Sequence, residues 1–423
     1  MNKFIYGLDF GTTNSVLSIY DEDKNEIVDT IRVPSLIYFP EFPVEGSTNY
    51  IIGEQAITAY LEDGMRGRFI KSVKQILARS SFIETRIHSR RYNASDLVAL
   101  ILKDLKTKAD QIIGYDCKKA VIGRPVFFDD DSSAKDTLAQ TRLSTAVEKA
   151  GFTEVRFQFE PIGAAFAYEK MILKKEKVLV ADLGGGTTDF TYLELDPARA
   201  NTTDRQKDMI ASGGIYIGGD SFDSAFMWER GTPYFGKDTL YEASPGKLLK
   251  VPISLFDNIC SWDKMNFFNN VRIRRSMEDY YHYSNEDRNF KNLLTLVDNN
   301  LGYSVFQAIE RTKIGLSEYD VFSFQYGNMG IEIDEEITIQ SYNAIIQKDL
   351  ERISAYLDKF MLANGIKKED VDSLFLTGGI SLVRGVKELF QDKFPGSKIN
   401  SGDNFISVAN GLAYSGYLFE EEI

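Results

Sequence analysis

Residues 7–15 read GLDFGTTNS, and residues 182–190 read DLGGGTTDF. Each run ends an apolar stretch on an aspartate, Asp9 or Asp182, and then passes through glycine into a pair of threonines. The two aspartates lie 173 positions apart (182 minus 9). A glycine-rich turn between strands lets the backbone take positive φ and aims several N–H groups at one point. Such a concavity suits phosphate oxygens, and the hydroxyls of Thr12, Thr13, Thr187 and Thr188 add donors. An aspartate cannot bind phosphate directly. It can hold a hydrated Mg2+, which keeps several waters and takes few carboxylates. A single turn of this kind is an ordinary hairpin closure, because Gly, Asp and Thr are common turn formers. Two copies, each opening half of the chain, predict two related lobes gripping one polyphosphate.

The flanking pattern supports the repeat. The strands FIYGLDF, SVLSIY and EIVDTIRV come first, followed by a polar stretch over 40–49. Residues 53–113 read as mainly helical, most clearly in DLVALILKDLKTKADQII. KAVIGRP (119–125) is a short strand, a helix follows near 131–150 with Gly151 at its end, and EVRFQFE leads into a helix opened by Pro161. The order then restarts with KVLVADLGGGTTDFTYLEL as strand–turn–strand, and DMIASGGIYIGGDSFDSAF as a strand and a helix. Residues 231–300 show no clear period. A helix is expected over 304–318, a hairpin turning at 327–330, a helix over 338–363, the strand SLFLTGG, and helices over 381–393 and 404–419. The fold class is α/β, written twice, with insertions near 40–115 and 221–336. A Rossmann reading fails because a strand, not a helix, follows the glycines, and a P-loop fails because neither turn ends in Gly-Lys-Ser/Thr.

Composition narrows the function. The 423 residues are 43% hydrophobic and 26% charged, and 49 basic against 62 acidic residues give a net charge of −13. That balance argues against a nucleic-acid-binding surface. The two cysteines, Cys117 and Cys260, have neither metal-ligand nor disulfide-framework spacing. MNKFIYGLDFG reaches Asp9 before a signal-like apolar region develops, and no apolar run reaches the ~18 residues of a membrane span. A cytoplasmic protein without membrane partners is expected. His88 and His282 lie outside every motif, so histidine catalysis is not expected. The aromatic-rich segment 256–283, with Trp262, reads as the core of an inserted subdomain in preference to a partner surface.

With these motifs in place the chain resembles the actin, sugar kinase and Hsp70 ATPase superfamily, and within it the Hsp70 nucleotide-binding domain. GLDFGTTNS and DLGGGTTDF resemble its two phosphate loops, EPIGAAFAYE (160–169) its connecting helix, and LTGGISLVRGV (376–386) its adenosine loop. GGDSFDSAF (218–226) and ERTKIGLSE (310–318) resemble its Gly-Gly segment and nucleoside-clamping helix. The resemblance implies a two-lobed actin-like fold of duplicated RNase H-like subdomains with a deep interlobe nucleotide cleft. Lobe I would span 1–174 and lobe II 175–423, each with its insertion, and the last helix would pack back on lobe I. Ile423 follows closely on that helix, so no peptide-binding β-sandwich or helical lid is expected. That feature and the segment 231–300 are similar to the short bacterial YegD-like homologues.

The resemblance also implies roles. Asp9 and Asp182 would organise Mg2+ through water, with Asp189 beside them, and K+ is a further candidate ion. Gly11, Thr12, Thr13, Asn14, Gly184, Gly185, Gly186, Thr187 and Thr188 would contact phosphates, with Thr187 also counted among the catalytic residues. Glu160 would position the attacking water. Lys74, in KSVKQIL, would stabilise charge at the γ-phosphate, with Lys71 the alternative. Glu310, Lys313 and Ser317 fall at i, i+3 and i+7, one face of a helix, and would hold the nucleoside with Gly218, Gly219, Gly378, Gly379 and Ile380. Two departures stand at the base end: Leu382 replaces an arginine that stacks on adenine, and Phe405 replaces an aspartate. The implied function is a Mg2+-dependent ATPase of the Hsp70 type acting on ATP, with an unidentified protein client or co-chaperone. The alternatives are a non-catalytic nucleotide-sensing scaffold and an actin-like filament former. A sugar kinase is disfavoured because Glu160-Pro161 lacks the aspartate expected for a sugar hydroxyl.

Overall fold

The computed structural model describes residues 3–42, 49–64, 66–129, 132–169, 172–199, 205–401, 407–416 and 419. Ten strands form two large sheets and are numbered here in chain order. β1 (Phe4–Phe10), β2 (Asn14–Asp21), β3 (Glu26–Pro34), β4 (Lys119–Arg124) and β5 (Glu154–Phe159) form the first. β6 (Glu176–Leu183), β7 (Thr188–Leu195), β8 (Met209–Ile215), β9 (Ser373–Thr377) and β10 (Lys398–Ser401) form the second.

The sheets share one topology. The first runs β5-β4-β1-β2-β3, with β1–β2–β3 an antiparallel meander and β4 and β5 parallel. The second runs β10-β9-β6-β7-β8, again an antiparallel meander from the central strand with two parallel strands beyond it. The repeat seen in two nine-residue runs therefore extends to ten strands. The central strands β1 and β6 are almost wholly buried, as expected of strands covered on both faces. β3 carries alternating and exposed positions, as suits an edge.

The helices are α1 (Glu54–Glu62), α2 (Ala94–Ile113), α3 (Ser133–Ala150), α4 (Glu160–Glu169), α5 (Gly219–Phe226), α6 (Ile253–Ile259), α7 (Val271–Tyr283), α8 (Arg288–Asp298), α9 (Gly302–Glu318), α10 (Ile339–Ala363), α11 (Arg384–Lys393) and α12 (Ser407–Tyr414). α2 starts on a reciprocal cap. Asn93 Oδ1 accepts from the Asp96 N–H and Asp96 Oδ2 accepts from the Asn93 N–H, both at 2.9 Å.

By internal contacts the chain divides into two compact units. One comprises Met1–Tyr216, Ala355–Ser381 and Gln391–Ile423, and the other Ile217–Ser354 and Leu382–Phe390. Both large sheets belong to the first unit. There α2 and α3 pack on the first sheet in one apolar core. A second core joins Ile5 and Val121 of the first sheet to Val178, Val180 and Phe375 of the second through α4 and α12. α12 lies so close that a Cβ on Gly411 would meet the carbonyl of Gly163 in α4.

Two local expectations change. Residues 53–113 are helical at their two ends, but between α1 and α2 lie the strand Arg68–Ile70, the 3-10 turn Val73–Ile76 and the hairpin Thr85–Ile87/Arg90–Tyr92. Residues 231–300 are ordered as the hairpin Leu240–Ser244/Lys247–Lys250 and helices α6–α8, with Phe256, Met277, Phe290 and Leu293 fully buried. The hairpin expected at 327–330 is present, with Met329 and Gly330 at its turn. The start of the expected 404–419 helix lies outside the described residues, and its described part is α12 followed by a short 3-10 turn.

Candidate functional site

Each glycine–threonine turn is held by its own hydrogen bonds. At the first, the Ser35 N–H donates to Thr13 O at 2.8 Å and Ser35 Oγ donates to Gly11 O at 2.8 Å. Ser15 and Ser35 share a further bond at 2.8 Å, and both are fully buried. At the second, the Gly184 N–H donates to Thr187 O at 2.9 Å, and Thr187 Oγ1 donates to Asp189 Oδ2 at 2.8 Å. The β6–β7 register places Asp182 opposite Asp189. The turns are neighbours within the first unit, since a Cβ on Gly185 would strike Thr13 Oγ1. A side chain there would force the Thr13 hydroxyl to shift. A Cβ on Gly186 would come within 2.8 Å of Gln75 Nε2, which puts the Lys74 segment at the same place.

Lys74 lies on the 3-10 turn Val73–Ile76, and its Nζ donates to Glu160 Oε1 at 2.8 Å. Both side chains are largely buried, 16% and 8% exposed. Glu160 opens α4, where Pro161 costs no helical hydrogen bond. Burial, followed by the charge of Glu160, raises the Asp9 carboxyl well above the usual range, while Lys74 opposes the rise and Asp182 adds to it. Burial and then Glu160 push Asp182 up to about 6, again opposed by Lys74. Burial pulls Lys74 down, but Glu160, Asp9, the bond to Glu160 and Asp182 together raise it. Three carboxylates thus share one ammonium, an imbalance that is costly out of water.

An oxygen-only, electron-rich donor set of this kind fits a hard divalent cation. Among the described residues no group of three or more His, Cys, Asp or Glu could hold a metal ion. These carboxylates do not form a direct coordination cluster. A narrow cavity lined by Glu160, Asp182, Asp189, Thr191 and Ser212 reaches two of these three carboxylates, Glu160 and Asp182.

The residues that the resemblance assigns to the nucleoside divide between the units. In the first, Gly378 takes φ +83° and sits against the backbone of Leu183, and Ile380 is buried. Ser381 Oγ donates to Gly378 O at 2.7 Å, holding the turn that begins at Gly379. In the second, Gly218 caps α5 and Gly219 begins it. Lys313 Nζ is held by both Asp223 oxygens at 2.8 and 2.9 Å. Burial lowers the Lys313 ammonium, but Asp223 and then Glu310 raise it. Ser317 Oγ bonds back to Lys313 O at 3.2 Å, Glu310 is exposed, and Leu382 is 40% exposed. Phe405 lies outside the described residues.

Three participants escape the motif reading. Ser35 carries a weak signal, a serine directly after Pro34, where the chain turns back under the first loop. Gln75 adjoins Lys74 but has no motif of its own. Asp223 sits inside GGDSFD, four residues after Gly219, and only the fold reveals it as the partner of Lys313.

The family described as Hsp70 protein matches residues 5–229. The chain is 34% identical over 232 residues to the chaperone protein DnaK of Thermosipho melanesiensis, covering 53% of this chain and 35% of that protein. To DnaK of Thermotoga maritima it is 33% identical over 232 residues, with the same coverage. To DnaK of Metamycoplasma hominis it is 26% identical over 437 aligned positions, covering 100% of this chain and 60% of that one. The matches thus span between about a third and three fifths of these relatives' length.

Proposed function

The chain belongs to the Hsp70 family, and from that premise we propose that it binds ATP with Mg2+ and hydrolyses it to ADP and phosphate. The observation that carries this reading is the Lys74–Glu160 ion pair, set beside Asp9 and Asp182 where the two glycine–threonine turns meet. The turns' N–H groups and threonine hydroxyls hold the β- and γ-phosphates. Asp9 and Asp182 would hold a hydrated Mg2+, with Asp189 as a further ligand to the cation or its water, and K+ is a further candidate ion. Bound Mg2+ neutralises charge on the phosphate oxygens. Glu160 accepts a hydrogen bond from the attacking water, and Lys74 offsets the charge that develops as the bond to the γ-phosphorus forms.

By resemblance, Gly378, Gly379 and Ile380 contact the nucleoside, and Lys313, tied to Asp223, braces its own helix face. Lobes 1–174 and 175–423, each an RNase H-like core, close on ATP and reopen around ADP, a hinge-type switch. The reading extends to a cytoplasmic, YegD-like chaperone-type protein that passes this motion to a protein client or co-chaperone.

ATP hydrolysis by the wild type beside Asp9→Asn and Glu160→Ala, with calorimetric ATP binding in parallel, tests the proposal. Turnover in the wild type that both substitutions abolish supports it. Tight binding with turnover no faster than the variants would replace it with the second reading, a nucleotide-sensing scaffold. The exposed aliphatic Leu382 at the base end favours that second reading.

A further inference from the structure

The segment that delivers Lys74 has little regular structure to support it. Val73–Ile76 is a single 3-10 turn, entered through Ser72 at φ +56°, a left-handed conformation that L side chains adopt at a cost. Beyond it the chain continues through irregular turns, with the Leu77, Arg79 and Phe82 N–H groups donating to Lys74, Ile76 and Arg79 carbonyls. Val73 and Leu77 anchor one side in the apolar core. The carbonyls that end such turns carry partial negative charge and need donors from elsewhere.

Those donors come from one side chain on another element. Arg142, half-buried on α3, donates through Nη1 to Ile76 O at 3.1 Å, Leu77 O at 2.9 Å and Arg79 O at 3.0 Å. Its Nη2 donates to Phe82 O at 2.8 Å. Four carbonyls within seven residues therefore converge on one guanidinium, whose planar fork of five N–H donors suits the task. All four of these hydrogen bonds go to backbone carbonyls and none to a carboxylate, so the charge is spent on fixing backbone.

We propose that Arg142 is a positioning residue for Lys74: it locks the 72–82 segment so that the ammonium meets Glu160 and Gln75 stays against the second glycine–threonine turn. The proposal rests on the ATPase reading for its kinetic consequence and on geometry alone for its structural one. A displacement of about 1 Å at a catalytic group can cost on the order of 100-fold in rate. Lysine in place of Arg142 keeps the charge but cannot span four carbonyls. Glutamine loses the charge and most of the donors.

The test uses the full chain with Arg142→Lys and Arg142→Gln. Hydrogen exchange on nucleotide-free protein should show the amides of Gln75, Leu77, Arg79 and Phe82 exchanging roughly tenfold faster or more, while α2 and the β1–β2 hairpin keep their protection. In steady-state kinetics kcat should fall on the order of 10- to 100-fold with KM for ATP within about threefold. Millimolar guanidinium ion should restore part of the loss in Arg142→Gln. Exchange that accelerates uniformly across the chain would overturn the proposal, because Arg142 would then be a general stabiliser. Local loosening with unchanged kcat would overturn it as well. Should the wild type hydrolyse no ATP, the ATPase reading fails by itself. The clamp is then judged by the exchange pattern and by the rate at which a small anhydride acylates Lys74: faster acylation in the variants supports it, and an unchanged rate refutes it.

Discussion

Lys74 Nζ and Glu160 Oε1 stand 2.8 Å apart, although 86 residues of chain separate them. Removing Lys74 leaves three carboxylates without their cation, whereas removing Glu160 leaves Lys74 facing Asp9 and Asp182 without its hydrogen-bonded partner. Lys74→Met and Glu160→Gln should each lower single-turnover ATP hydrolysis by roughly 100-fold or more, with calorimetric ATP affinity changing far less. Equal loss of binding and turnover would mean that the pair supports the fold and not the reaction.

The raised Asp182 carboxyl, about 6, makes a signed prediction for the nucleotide-free, metal-free protein. Its folded value lies above the unfolded one near 3.8, so the folded state binds more protons between the two. The contribution is therefore fully present below pH ~4 and is lost as pH rises through about 6. Asp182→Asn removes this dependence. Thermal melts should show the variant gaining stability relative to wild type as pH climbs from 4 to 7, and a constant difference would show the shift to be absent.

Leu382 is 40% exposed in the second unit, where the family pattern has an arginine. A guanidinium stacked on an exposed aromatic face contributes about 0.5–1 kcal/mol. Leu382→Arg should therefore tighten ATP binding by about two- to fivefold, and calorimetry with ATP and GTP side by side would show whether adenine gains more than guanine. No change for either would place the base elsewhere.

The crossing of α4 and α12 leaves no room at Gly411, where an added Cβ would meet the Gly163 carbonyl. Backbone cannot yield as a flexible side chain can, so Gly411→Ala should cost about 1–3 kcal/mol. Urea unfolding would register the loss as a lower midpoint with an unchanged slope.

The elements that could be read from the sequence are those whose cause is local. Asp9 and Asp182 end apolar strands, glycine and threonine then set the turns, and Gly151 closes α3. Lys74 was identifiable as a motif residue, but its 3-10 turn was not, because Arg142 shapes that turn from 60 to 66 residues away. The helices of 231–300 were hidden for a different reason. α7 is strongly polar and buries Met277 alone among its side chains, and α8 is only three turns long. Asp223 was invisible as a partner of Lys313 because 90 residues separate them.

The contact between β1 and α12 has a consequence for synthesis. A Cβ on Gly7 would meet Ala409 and Ala413, and Ser18 Oγ donates to Asn410 Oδ1 at 2.6 Å. The second sheet also waits, since Asp182 has no parallel neighbour until Thr377 is made. A nascent chain therefore carries the uncovered face of its first sheet until residues near 414 leave the ribosome. Contacts of such sequence separation form slowly, and exposed apolar surface invites aggregation meanwhile. A protein of this family thus passes through a long interval in which it is itself a candidate for chaperone protection.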